Sequence, residues 1–338
     1  MPMSDSLLTD WLHQAQALNK TLNQHIIGQQ QANEHILTAL FARGHVLLEG
    51  PVGVGKTTLL KALAKGLGGH YQRIEGSIDL MPQDLLYYTY LDQSGKPKVD
   101  PGPLLSHGEQ LATFFFNEIN RARPHVHALM LRVMAEREVF AFNQVYRFPH
   151  LAVFADRNQV EKDETFELPV AARDRFMFEI GLATPEAETH LDDLMFNTRY
   201  HDTEQLLASV EQGLIDHQRL NQIAATIQEH IHVSPALRRY GLALWEALNQ
   251  PGSLPLNNRP DDDFLIQGPS PRGMSFLIRA AKVHAWLKGR GAVWPEDIKA
   301  IAVPVLAHRL VLNPIYAYQA DSLGKTFIND IFDFIPVP

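Results

Sequence analysis

Over the first 42 positions apolar and polar residues alternate at helical spacing, and the pattern stops near Arg43-Gly44. His45-Val-Leu-Leu-Glu49 then reads as a short buried strand. It runs into a glycine-rich turn and a helical segment from Thr57 to Leu67, closed by Gly68-Gly69. Further β-type runs stand at 71–75, 113–117, 151–155 and 176–180, with helical segments between most of them. Strands alternating with helices predict a parallel sheet covered on both faces. Ahead of the 151–155 run, REVFAFNQVYRFP alternates apolar and polar residues around Asn143-Gln144, which predicts a β-hairpin. After Leu182 the pattern changes. Residues 183–203 are polar and acidic, as a linker would be, and helical periodicity broken by Pro and Gly runs from 204 onward. Residues 251–271 read as a Pro- and Asp-rich surface loop. The predicted organisation is an α/β core at 1–182, a linker at 183–203 and a helical domain at 204–338, and 338 residues suit two domains.

Composition narrows the class. Hydrophobic residues at 45% and charged residues at 20% are the balance of an ordinary soluble globular protein. The formal charge of −8 weighs against a nucleic-acid polyanion as the main partner. The absence of cysteine excludes disulfides, thiolate zinc sites and a cysteine nucleophile, and is compatible with a reducing cytoplasm. The N-terminal MPMSDSLLTDWLHQ lacks the basic start and apolar run of a signal peptide. No stretch approaches the ~18 uninterrupted apolar residues of a membrane span, so a soluble, cytoplasmic chain is expected. The 16 histidines are scattered without HExxH spacing. His125 and His127, two apart on a predicted helix, point to different faces, so no histidine metal centre is expected.

Candidate chemistry concentrates in two places. Gly50-Pro51-Val52-Gly53-Val54-Gly55-Lys56-Thr57 fits G-x-x-x-x-G-K-[ST], the Walker A pattern, between a predicted strand and a predicted helix. Glycines let backbone N–H groups converge on phosphate oxygens. Lys56 is expected to reach the β- and γ-phosphates and Thr57 to offer its hydroxyl to Mg²⁺, with Thr58 beside it at the positive end of the helix. ATP with Mg²⁺ is therefore the predicted cofactor. In the second place, Thr113-Phe-Phe-Phe-Asn117-Glu118 carries Asn117 and Glu118 to the C-terminal end of a strand, where ligands of open α/β sheets collect. Glu118 is the predicted catalytic base. Asn117 stands where a metal-shell Asp is expected; its amide keeps a carbonyl oxygen but not the charge that Mg²⁺ prefers. A slowed but working ATPase is expected, with a binding-only protein as the alternative. The Phe114–Phe116 run reads as core strand.

With both motifs placed, the chain resembles the MoxR family of AAA+ ATPases nearly end to end. His25-Ile-Ile27-Gly28-Gln29 is similar to the segment that contacts adenine in that superfamily. Arg73–Leu85 and Pro101-Gly-Pro103 resemble MoxR elements between the second and third strands, and Glu118-Ile-Asn-Arg-Ala122 extends the second motif in the MoxR manner. The hairpin at 138–147 resembles the family's insertion before the sensor-1 strand. Ala155-Asp-Arg-Asn158 occupies the sensor-1 position, where Asn158 would help orient the lytic water; its neighbours differ from the usual Thr-Gln-Asn-Pro. Leu168-Pro169 with Asp174-Arg175-Phe176 matches the segment of the arginine finger. Arg175 would thus act on a neighbouring subunit, Arg173 being the alternative and a surface ion pair with Asp174 or Glu179 the plainer reading. Ser270-Pro-Arg272-Gly273 resembles the sensor-2 motif, with Arg272 aimed back at the nucleotide cleft. Trp294–Ile298 and Ile335–Pro338 also resemble MoxR proteins, so the resemblance implies no extra domain.

The resemblance implies an AAA+ P-loop αβα parallel-sheet core with a C-terminal α-helical lid, a homo-oligomeric ring (a hexamer by analogy), and chaperone-like remodelling or maturation of a partner protein, often with a von Willebrand factor A-domain partner. Two rival functions remain at this level. One is an ATP-binding structural or sensing ring that barely turns over because of Asn117. The other is a DNA-acting AAA+ motor, against which the stretch Glu136–Arg147 carries two Glu and two Arg, giving no basic stripe.

Overall fold

The computed structural model describes residues 2–158, 165–250, 252 and 263–338, so most of the loop expected at 251–271 lies outside the described residues. Two helices open the chain, α1 (Pro2–His25) and α2 (Gln30–Phe41). Then come β1 (His45–Glu49), α3 (Lys56–Leu67), β2 (His70–Glu75), α4 (Pro82–Leu86) and a hairpin of β3 (Tyr87–Leu91) and β4 (Pro97–Pro101). They are followed by β5 (Leu111–Asn117), α5 (Pro124–Glu136), a second hairpin of β6 (Glu138–Ala141) and β7 (Gln144–Arg147), β8 (Ala152–Arg157), the short α6 (Val170–Arg173) and β9 (Phe176–Gly181).

β1, β2, β5, β8 and β9 form one sheet in the order β2-β5-β8-β1-β9, with parallel pairing throughout. All residues of β1 and β5 are buried, which is why HVLLE and LATFFFN are mostly apolar without a period-two alternation, whereas the edge strand β2 has no buried residue. Side chains alternate between the two faces. Leu48, Phe115 and Phe154 join the core shared with α2, α3 and the C-terminal helices, while Leu47, Phe114, Phe116 and Ala155 join the core under α5. The chain leaves β1 toward β2 on one side and crosses to β9 on the other. This reversal beside β1 leaves a crevice at the C-terminal strand ends.

The predicted hairpin at 138–147 is present, with its turn at Phe142-Asn143, both at positive φ (51° and 59°), one residue earlier than the sequence suggested. The β3–β4 hairpin has no counterpart among the expectations. Its turn is held by the Asp92 carboxylate, which accepts from the Ser94 and Lys96 amides.

Beyond the sheet lie α7 (Glu188–Phe196), α8 (Thr203–Ala208), α9 (Leu220–His230), α10 (Pro235–Asn249), β10 (Leu265–Gln267), α11 (Pro271–Leu287), α12 (Pro295–Leu306), β11 (Val311–Leu312) and α13 (Ala320–Phe334). The polar span 183–203 thus contains a helix, α7, which buries none of its residues. α10, α11 and α12 each start on a proline, whose missing N–H costs nothing in the first turn. Ser234 and Ser270 cap two of them through their hydroxyls. The C-terminal helices share one hydrophobic core with the sheet by way of α1 and α2. Phe41 packs edge-on against Trp286 at 5.0 Å, and the Trp286 indole donates to the Leu8 carbonyl at 3.2 Å. Among the described residues no helix is long and apolar enough to cross a membrane.

Candidate phosphate-binding site

β1 delivers the chain into the loop Gly50–Gly55, and α3 begins at Lys56. Gly53 and Gly55 lie in the left-handed region (φ 88° and 87°), and nothing stands within 4 Å of where a Cβ would be at either. The loop is therefore a backbone cradle with an open side. Gly50 is needed for another reason: a Cβ there would stand 2.4 Å from the Leu182 carbonyl oxygen, because the loop is pressed against the end of β9. Lys56 is buried. Its Nζ donates to the Gly50 carbonyl at 2.6 Å, the Pro51 carbonyl at 3.3 Å and Asn158 Oδ1 at 2.9 Å, and stands 3.3 Å from Asp156 Oδ2.

The neighbouring strand ends supply the acidic side of the site. Glu118 follows β5 in the left-handed region (φ 52°), a conformation a non-glycine residue holds only when its surroundings fix it. They do so here. Its N–H donates to Asp156 Oδ1 at 2.5 Å, Asn158 Nδ2 donates to its Oε1 at 3.1 Å, and Arg121 pairs with its Oε2 at 2.9 Å. Asn158 therefore bridges the lysine and the glutamate through the two ends of one amide. Burial raises the Asp156 carboxyl above its usual range, and the Glu118 amide and Lys56 pull the other way. Asn117 is buried, and its carbonyl accepts from the Gly76 N–H at 2.7 Å.

Beside this cluster, Gly28 turns the chain between α1 and α2 with φ 75°, so close to Pro185 that a Cβ would meet its ring at 2.7 Å. Ile27 is half-buried next to it. A cleft of about 920 Å³ opens here, lined by Gly28, Gln29, Glu49, Thr184 and Val303 among others, and it ends one residue ahead of the glycine loop. Glu49 and Glu179 line it; Arg157 Nη2 lies 3.0 Å from both carboxylates, and burial raises the Glu179 carboxyl.

The two distal arginines stand elsewhere. Arg272 pairs with Asp174 at 3.1 Å, a carboxylate that also accepts from Ser270 at 3.3 Å and from the buried Arg309 at 3.0 Å. Arg175 donates to the Ala171 carbonyl at 2.9 Å. Lys56, Glu118 and Asn158 are thus brought together, whereas Arg272 ends on Asp174 and Arg175 on the Ala171 carbonyl. Among the described residues the hydrogen bonds and ion pairs of Arg272 run to Asp174 and not into the crevice that holds Lys56. Asp156 and Arg121 enter the site although the sequence singled out neither. The available signal for Asp156 was parity with Phe154 in the run VFAD, which sends it to the face of the strand that α3 covers.

Residues 45–178 match the family model described as ATPase family associated with various cellular activities (AAA), and residues 265–329 match that of the AAA lid domain. The chain is 51% identical over 336 residues to Protein MoxR of Methylorubrum extorquens, spanning 99% of this chain and 98% of that one. It belongs to the MoxR family of AAA+ ATPases. Chaperone MoxR1 of Mycobacterium tuberculosis is 34% identical over 320 residues, covering 93% of this chain and 79% of its own length. A solved structure from Cytophaga hutchinsonii superposes with a TM-score of 0.83 at 26% identity, covering 100% of this chain and 98% of that chain. In MoxR terms, the parallel sheet with its flanking helices is the AAA+ core, and residues 265–329, with α11 and α12 among them, belong to the lid.

Proposed function

We propose that this MoxR-family chain binds ATP with Mg²⁺ at the Gly50–Thr57 loop, hydrolyses it, and couples the cycle to remodelling or maturation of a partner protein. The observation that carries the reading is the hydrogen-bonded chain Lys56–Asn158–Glu118, which links the loop cation to a fixed carboxylate through one amide. The residues present suit the nucleotide. Gly53 and Gly55 leave the concave side of the loop open, and the N-terminal end of α3 with Thr57 and Thr58 favours anions. The cleft beside Ile27 and Gly28 suits the base. When bound, Mg²⁺ with Thr57 nearby neutralises charge on the phosphate oxygens. On this reading Lys56 exchanges the Gly50 and Pro51 carbonyls for phosphate oxygens, Glu118 takes a proton from the attacking water, and Asn158 orients that water.

The division proposed is core 1–182, linker 183–203 and lid 204–338, with Arg175 acting on the next subunit of a closed ring, a hexamer. A protein client is favoured by the two hairpins. They meet through the Tyr87 and Phe142 rings at 5.2 Å and leave Tyr90, Leu91, Val99, Phe140 and Val145 exposed. Arg147 there is paired with Glu138 at 3.6 Å, which leaves no basic stripe for a polyanion.

Titration calorimetry with ATP and Mg²⁺, run beside a phosphate-release assay, tests the proposal. Lys56→Ala is expected to lose binding, and Glu118→Gln to keep binding and lose release. Binding by the unaltered protein without release would favour the sensing ring, the reading that Asn117 supports. No binding would remove both.

A further inference from the structure

Asn117 leaves the end of β5 without the carboxylate that Mg²⁺ prefers. One strand over, β8 carries a carboxylate at the same level. The pairing of β5 with β8 runs Phe115 to Phe154 and Phe116 to Ala155, so the next step sets Asn117 beside Asp156. On its other side Asp156 is level with Leu48 of β1, the strand that feeds the glycine loop. Direction follows from alternation. Leu48, Phe115 and Phe154 belong to the core that includes α3, whereas Leu47, Phe116 and Ala155 belong to the other. Asn117 and Asp156 therefore both project toward the face covered by α3, the helix that opens with Lys56 and Thr57. Neighbouring strands stand ~4.8 Å apart. The acid absent from β5 is thus present one strand nearer the loop.

The surroundings of Asp156 agree. Its side chain is 1% exposed, a costly place for a carboxylate. Its partners are the loop lysine, 3.3 Å away, and the amide of Glu118 at 2.5 Å. Both belong to the site itself. The adjoining Arg157 points to the opposite face and is taken up by Glu49 and Glu179.

We propose that Asp156 supplies the metal-shell carboxylate of this site in place of Asn117, so that the acidic ligand has moved from β5 to β8. The inference rests on the ATP·Mg²⁺ reading above. On this account Asn117 is no defect: a second carboxylate beside Asp156 would add like-charge repulsion at a buried position. The pair of substitutions keeps one negative charge in the shell and shifts it by one strand.

The test measures ATP affinity by calorimetry with and without Mg²⁺, together with the electron paramagnetic resonance of Mn²⁺ added with ATP. The proteins are the unaltered chain, Asp156→Asn, and the double variant Asp156→Asn/Asn117→Asp. Asp156→Asn is expected to lower the affinity for the metal–nucleotide pair about 10–100-fold while metal-free ATP binding persists, which also shows that the variant is folded. Moving the carboxylate back in the double variant is expected to restore the metal-dependent gain and the Mn²⁺ signal. An Asp156→Asn protein with unchanged metal dependence overturns the inference and leaves the ATP reading intact. A loss that Asn117→Asp does not repair overturns it as well, since Asp156 then only neutralises Lys56. An unaltered chain that binds no ATP at all sinks the underlying reading, and this inference with it.

Discussion

Gly76 has no room for a methyl group. A Cβ there would stand 2.1 Å from the Glu118 carbonyl oxygen, and its own N–H donates to the Asn117 carbonyl at 2.7 Å. The neighbouring strand thus sets where the proposed base sits, through backbone alone. Gly76→Ala is expected to displace Glu118 without touching the loop. ATP affinity should hold while phosphate release falls ~100-fold, the cost of misplacing a catalytic group by about an ångström. Unchanged release would show that the position of Glu118 tolerates such a shift. At this scale the sequence was legible where short motifs carry the pattern: Gly50 to Thr57, Asn117-Glu118 and Asn158 could all be named from it as candidates, and the fold brings Lys56, Glu118 and Asn158 together. Asp156 could not be singled out, because its meaning depends on which residues of β1 and β5 lie level with it. The partner of Arg272 was hidden for a similar reason. Asp174 is 98 residues away in sequence, and only the fold joins them.

Among the elements, the helices are tied by a charged cluster that titrates. Glu34 of α2 lies 3.3 Å from His284 of α11, which is 2.7 Å from the fully buried Asp297 of α12. The His284 hydrogen bond holds the Glu34 carboxyl down at about 2, with burial opposing and Lys288 assisting. For His284 itself burial opposes protonation, but the hydrogen bonds to Asp297 and Glu34 outweigh it and raise the pKa above 6.5. A depressed carboxyl contributes stability above its unfolded value of 4.5 that is lost as pH falls toward 2. A raised imidazole contributes stability below 6.5 that is lost as pH climbs through the folded value. Both contributions are present together between 4.5 and 6.5. His284→Asn is therefore expected to lower the melting temperature most near pH 5.5 and least near pH 9. An equal loss at both values would show that the cluster holds no raised histidine. The elements themselves were mostly readable. β1, β5, β8 and β9 each carry an unbroken apolar stretch of three or more residues, and the β6–β7 hairpin is marked by the polar Asn143-Gln144 between two β-type segments. The β3–β4 hairpin escaped because it stands outside the main sheet and leaves Tyr90 and Leu91 in solvent, so no core enforces its pattern. α7 escaped for the same reason, since a helix that buries nothing has no apolar stripe to read.

For the whole molecule, the proposed ring assigns Lys56, Glu118 and Asn158 to one copy and Arg175 to its neighbour. Asn158 joins Lys56 to Glu118 within the chain, while Arg272 and the buried Arg309 end on Asp174 and Arg175 donates to the Ala171 carbonyl. On the proposed ring, Arg175 of one subunit serves the loop of the next, so the two halves of a site can be inactivated on different chains. Arg175→Ala alone is expected to lower phosphate release by ~10³ or more, and Lys56→Ala to abolish it. Mixed in equal amounts, the two variants should recover activity. An intact loop then meets an intact Arg175 at about a quarter of the interfaces in a randomly mixed closed ring. A within-chain role predicts no recovery, because every chain in the mixture lacks one of the two residues. Arg173→Ala in place of Arg175→Ala separates the neighbouring candidates, since only the variant of the residue that acts across the interface should be complemented. Mixed assemblies that form by light scattering yet stay inactive would end the trans assignment for either arginine.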